Sequence, residues 1–141
     1  MSKFALERME AVSGKQSFDK LVIEGNIPFD DFEKGLESSD KQDLQKILFY
    51  MNEVANNKPL PNTKFKDVTP QKDNVKEYEF KSGNLRVYAI SKRGGKVIII
   101  GGYKNKQKKD FVRFRSIKKQ YLEESNIKIK KCNEKVGVIK K

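Results

Sequence analysis

The sequence has no histidine, no tryptophan and a single cysteine, Cys132, in 141 residues. Each absence removes some chemistry. Without histidine there is no Ser-His-Asp or Cys-His arrangement, and one cysteine alone argues against a conventional zinc site. A lone cysteine forms no internal disulfide, which points to a reducing, cytoplasmic compartment. No stretch approaches the about 18 apolar residues of a membrane span; the longest, Val97 to Ile100, is strand-sized. The N-terminus lacks the apolar core of a signal peptide. Any catalysis must use Lys, Arg, Tyr, Asp or Glu, and neither a metal nor a cofactor is expected.

Acidic residues are also scarce at one end. The formal net charge is +12, and the last 41 residues carry 14 basic and 4 acidic side chains, a net of +10. A field focused in this way gathers polyanions and speeds their association. The alternative is a solubilising surface with a basic tail. No strongly amphipathic basic helix carries the charge, so anionic membrane is the weaker partner.

The length suits one domain. Its pattern reads as helices, a sheet and a final helix. The first 25 residues are ambiguous: Phe4, Leu6, Met9 and Val12 suit a helix or an irregular edge, and Leu21 to Ile23 a short strand. Pro28 fits the first turn of a helix, with Asp30 and Asp31 near its positive end. Leu44, Ile47, Leu48, Met51, Val54 and Ala55 recur at three and four, the clearest helical signal in the chain, with Ser39 or Asp40 as its cap. Residues 58–74 form a proline-marked connection. Glu77 to Phe80 begins a sheet, Ser82-Gly83 turns it, and Leu85, Val87 and Ala89 alternate with Arg86, Tyr88 and Ile90. Lys96 to Ile100 is apolar on both faces, so it belongs at the centre under helices. Gly101-Gly102 allows a bulge as it emerges. Asp110 is the expected cap of the last helix, with Phe111, Phe114, Ile117 or Lys118, and Tyr121 inward. From Asn126 the lysine-rich chain reads as a mobile tail or an added edge strand.

Arg86 is either an ordinary solvent-facing arginine or a phosphate-binding group, with Tyr88 beside it on the same face. Tyr103 ends the central strand, and Lys104, Lys106, Lys108 and Lys109 follow. Cations neutralise the phosphates of a polynucleotide while tyrosine and phenylalanine hold its bases. RNA can be cut without metal or histidine, because its own 2′-hydroxyl attacks the adjacent phosphorus. Lysine takes the proton where neighbouring cations lower its pKa, arginine stabilises the developing charge, and lysine or tyrosine protonates the leaving oxygen. Lysine runs are common, so composition permits this chemistry without requiring it.

Residues 29–121 resemble the RelE/ParE toxin superfamily, especially its HigB-like branch. The resemblance rests on the helical pair before a proline-containing connection and on two runs. Tyr78-Glu79-Phe80-Lys81-Ser82-Gly83-Asn84-Leu85-Arg86-Val87-Tyr88 is similar to the family's E-x-R … G-x-x-R-v hairpin. Val97-Ile98-Ile99-Ile100-Gly101-Gly102-Tyr103-Lys104-Asn105-Lys106-Gln107-Lys108-Lys109 is similar to its central strand and h-G-F-x-K-K-t-q-k-t-P loop. The resemblance implies an α+β fold: a twisted antiparallel sheet of about four strands, two N-terminal helices packed on one side, and a C-terminal helix. It implies one domain over 1–125 with an atypical extension at 1–25, and a tail at 126–141.

Its functional implication is a metal-independent endonuclease that cuts translated mRNA on the ribosome, with an antitoxin protein as partner. Arg86, Lys106, Tyr103, Lys104 and Glu79 are then the catalytic candidates, and Tyr88, Lys108, Lys109, Arg113 and Lys81 the RNA-binding ones. The departures are Phe80-Lys81 in place of leucine-arginine, Asp110 in place of proline, and the missing C-terminal histidine. The alternatives are a non-catalytic nucleic-acid-binding or gyrase-inhibiting protein on the same scaffold, and a phage-derived remnant that binds protein.

Overall fold

The structure, a computed structural model, describes the backbone of residues 3–135 and the side chains of residues 3–126. The order is β1 (Phe4–Arg8), β2 (Ser17–Ile23), α1 (Pro28–Lys34), α2 (Ser38–Ala55), β3 (Phe65–Asp67), β4 (Glu77–Ser82), β5 (Leu85–Lys92), β6 (Gly95–Tyr103) and α3 (Gln107–Lys135), with a 3-10 turn at Lys104–Lys106. This is a mixed α+β fold, with helices packed against a multi-stranded sheet.

The sheet has six strands in the order β1-β2-β6-β5-β4-β3, not about four. The first 23 residues supply the difference. They form an antiparallel β1–β2 pair, and β2 joins β6 through a parallel ladder from Ser17↔Gly95 to Lys20↔Ile98. The sheet is therefore not purely antiparallel, and the N-terminal segment is part of it.

Helices cover both faces. Leu44, Ile47, Met51, Val54 and Ala55 of α2, with Phe29 of α1, pack on Phe18, Phe80, Leu85, Val87, Ala89 and Ile98. Phe114 of α3, flanked by Phe111, Ile117 and Tyr121, packs on Leu21, Tyr88, Ile90, Val97, Ile99 and Ile100. The spacing of three and four in α2 thus marks its buried stripe. The helix begins at Ser38, so Ser39 and Asp40 lie in its first turn; there Asp40 faces the positive end of the dipole, and no side chain caps the helix. Asp110 likewise lies inside α3 rather than at its cap. Residues 126–135 continue α3 in place of the expected tail or edge strand; the side chains beyond Asn126 and residues 136–141 lie outside the described residues.

The bulge sits earlier than the glycines suggest. Tyr88 pairs with Ile100 and Ala89 with Ile98, leaving Ile99 as the extra residue. Both Ile99 and Ile100 consequently face α3. Gly101 and Gly102 instead admit the helices: a Cβ on Gly101 would meet the Phe32 ring of α1, and one on Gly102 the Asp110 carboxylate of α3.

Charge fastens the connection before β4 to α3. The Glu77 carboxylate accepts from Arg115 Nε at 3.0 Å and from Lys118 Nζ at 2.8 Å. Lys118 Nζ also donates to Asp73 Oδ2 at 2.9 Å and to the Val75 carbonyl at 2.8 Å. These bonds, Lys118 first and the Val75 amide second, hold the Asp73 carboxyl below its ordinary pKa. A carboxyl with a depressed folded pKa contributes stability above its unfolded pKa and loses it as pH falls through the folded one. Asp73→Asn is therefore expected to lower stability at neutral pH and to make the acid limb of a pH–stability profile shallower, measured by urea titrations at successive pH values. An unchanged acid limb would contradict this.

Candidate nucleic-acid interface

The residues singled out in the sequence fall into two groups, separated by the sheet and the first turn of α3. Arg86 and Tyr88 share the face that α3 covers. Arg86 is only 8% exposed. Its Nη1 donates to the Gly83 and Leu85 carbonyls, each at 2.8 Å, and its buried Nε makes no hydrogen bond among the described residues. Tyr88 is fully buried, 4.9 Å from the Phe111 ring and 5.5 Å from Phe114. Its hydroxyl has no partner there, and burial, reinforced by the Glu79 carboxylate, raises its pKa. Tyr88 is therefore a core ring under α3 with no face open to a base.

Glu79 lies opposite Tyr88 and is 3% exposed. It accepts a hydrogen bond from Gln107 Nε2 and lies 3.9 Å from Lys81 Nζ. Glu79, Lys81 and Arg86 thus form a polar patch beneath the beginning of α3.

Tyr103 lies on the other face. It pairs with Leu85, one residue out of phase with Arg86, and meets the Phe32 ring edge-on at 5.8 Å. The bulge at Ile99 causes this. Without the extra residue, alternation would put Tyr103 on the Arg86 face; one inserted residue moves it across. Burial and then Asp40 and Glu37 raise the Tyr103 pKa, so its hydroxyl keeps its proton.

Tyr103 opens onto a cleft of about 590 Å³ with Asp40, Asn84, Lys104, Lys106 and Gln107. The Lys104 amide fixes the turn by donating to the Asn84 carbonyl at 2.7 Å. Gln107 is the one side chain common to the cleft and the Glu79 patch. Neither Gln107 nor Asp40 is legible as a site residue in the sequence, since one sits within a lysine run and the other within an amphipathic helix.

Lys104, Lys106, Lys108, Lys109 and Arg113 are all exposed on the turn and the first two turns of α3. Among the described residues none of them is in an ion pair, whereas Lys20, Lys81, Lys92, Arg115 and Lys118 each have a carboxylate. The only acid within this basic stretch is Asp110, whose pKa burial raises and Arg113, Lys106 and Lys109 pull back. Among the described residues no helix is long and apolar enough to cross a membrane.

No protein-family model, curated protein or solved structure matches this chain.

Proposed function

We propose that the protein is an RNA-directed toxin on a RelE/ParE-like scaffold, docking on translated mRNA through Lys104, Lys106, Lys108, Lys109 and Arg113. The observation that carries this reading is that these five exposed cations follow one another along the turn and the start of α3, with no ion pair among the described residues and Asp110 as the one acid between them. Phosphates supply the missing charge. An antitoxin with an acidic segment would compete for the same cations.

Cleavage is the narrower proposal. The neutral amine form of Lys106 or Lys104 accepts the 2′-hydroxyl proton, the remaining cations hold the pentavalent phosphate, and Tyr103, which retains its proton, donates it to the leaving 5′-oxygen. The products are a 2′,3′-cyclic phosphate and a 5′-hydroxyl. The burial of Arg86, whose guanidinium is committed to two backbone carbonyls, favours a second reading: binding without cleavage.

Two measurements decide between them. A labelled single-stranded RNA titrated between about 50 and 300 mM salt should give a log–log slope that falls by about 3 when Lys104, Lys106, Lys108 and Lys109 become alanine. Equal slopes and affinities would refute the docking face. Programmed ribosomes with metal chelated should yield 5′-hydroxyl fragments with wild type but not with Lys106→Ala. Intact transcripts together with retained binding leave the second reading.

A further inference from the structure

Lys96 stands at the opposite end of β6 from the basic turn and has no role in that reading. It is 7% exposed on the α2 face of the sheet. Its Nζ donates to Gln16 Oε1 at 2.8 Å and lies 4.8 Å from the centroid of the Tyr78 ring, 5.8 Å from Phe18 and 5.9 Å from Phe65. The ring faces attract the ammonium, while burial pulls it toward the neutral form. Lys92 beside it has Asp19 at 2.6 Å, whereas Lys96 is in no ion pair among the described residues. An ammonium has three donors, and one is used. Among the described residues the group has one hydrogen-bond acceptor and no counter-charge.

An opening lies against it. A cavity of about 490 Å³ is lined by Gln16, Leu60, Asn62, Phe65, Tyr78 and Lys96, and also by Lys58 and Asp67. The Asp67 carboxylate is turned to the Thr69 hydroxyl and amide. We propose that this cavity binds a small organic monoanion, a carboxylate on an aromatic body, whose carboxylate pairs with Lys96 Nζ while its ring packs on Phe65, Tyr78 and Leu60. Lys58 also lines the cavity but is exposed and lies 3.7 Å from Glu53, so Lys96 is the buried cation there, and one buried cation suits a monoanion.

The probe is benzoate, with benzamide as its neutral isostere, followed by amide and side-chain NMR shifts of the full chain. Saturable binding below about 1 mM, with benzoate at least about tenfold tighter than benzamide, is expected. Lys96→Met should abolish the preference. Asn62→Trp, at an exposed rim position, should weaken binding with the melting temperature unchanged, and it decides the matter if Lys96→Met does not fold. Alanine at Lys104 and Lys106 should leave benzoate binding intact, which separates this site from general attraction to the basic turn. Equal affinity for the two probes, no saturation by about 10 mM, or undiminished binding in Asn62→Trp and in any folded Lys96→Met would overturn the proposal.

Discussion

Gly95→Ala is expected to be the most destabilising single-methyl addition in the protein. Gly95 opens β6 exactly where β2 joins it in parallel, and a Cβ there would sit 1.7 Å from the Ser17 carbonyl oxygen and 2.7 Å from its carbon. No rotamer relieves a clash between backbone atoms, so the strands must separate. Separation breaks the bond from the Ser17 amide to the Gly94 carbonyl, 3.0 Å, and displaces the Lys92 pairings with Ser17 and Asp19. A cost of about 3 kcal/mol or more follows, near the upper end for overpacking. The adjacent glycine is the control. Gly94 has φ +77° with open space around its missing Cβ, so alanine there pays only for backbone strain, about 1 kcal/mol. Thermal melts of the two variants should separate clearly; equal melting temperatures would mean the parallel junction is not close-packed. Gly102→Ala belongs between them, because the obstructing atom is the end of the Asp110 side chain, which can turn aside.

Glu77→Ala should be the costliest loss of a side chain's polar contacts. The Glu77 side chain is 1% exposed and the Lys118 side chain 5%. Alanine leaves Lys118 with Asp73 and a carbonyl but without its buried partner, and Arg115 with the Val68 carbonyl and the Phe111 ring. Breaking a buried pair from one side costs about 3–5 kcal/mol. Replacing both members with apolar side chains removes the stranded charge as well as the bond. Glu77→Met with Lys118→Met should therefore recover much of the loss in urea denaturation. A double variant as unstable as the single one would show that the pair supplies net stability of its own.

The parts of the fold that announced themselves are those whose partners are near in sequence. The α2 stripe and the β4–β5–β6 hairpins depend on spacing, alternation and the turns at Gly83 and Gly94. Lys96 to Ile100, apolar on both sides, signalled helices on both faces. β1 did not: of its five residues only Phe4 is buried, and what makes it a strand is β2, which in turn depends on β6. The candidate site was half legible. Arg86 and Tyr88 do share a face, but whether α3 would cover that face depends on long-range packing. The face that Tyr103 takes was not legible, since it depends on the position of a single bulge and Ile98-Ile99-Ile100 offers three identical side chains with no mark of which one is surplus. Lys118 was one of two candidates for an inward position and Lys96 opened the central strand, but their partners Glu77, Asp73 and Gln16 were not legible, because those arrive from distant elements.

The β2–β6 junction also fixes an order of events during synthesis. β2 leaves the ribosome early, but β6, its partner on the inner side, emerges only after two helices and three intervening strands. Until then the N-terminal hairpin has no sheet to join, and its apolar side chains Phe18 and Leu21 stay uncovered. Long-range closure of this kind slows folding and prolongs exposure to aggregation. The basic turn at Lys104–Lys106 follows β6 directly, so it emerges only once the strand that closes the sheet has been made.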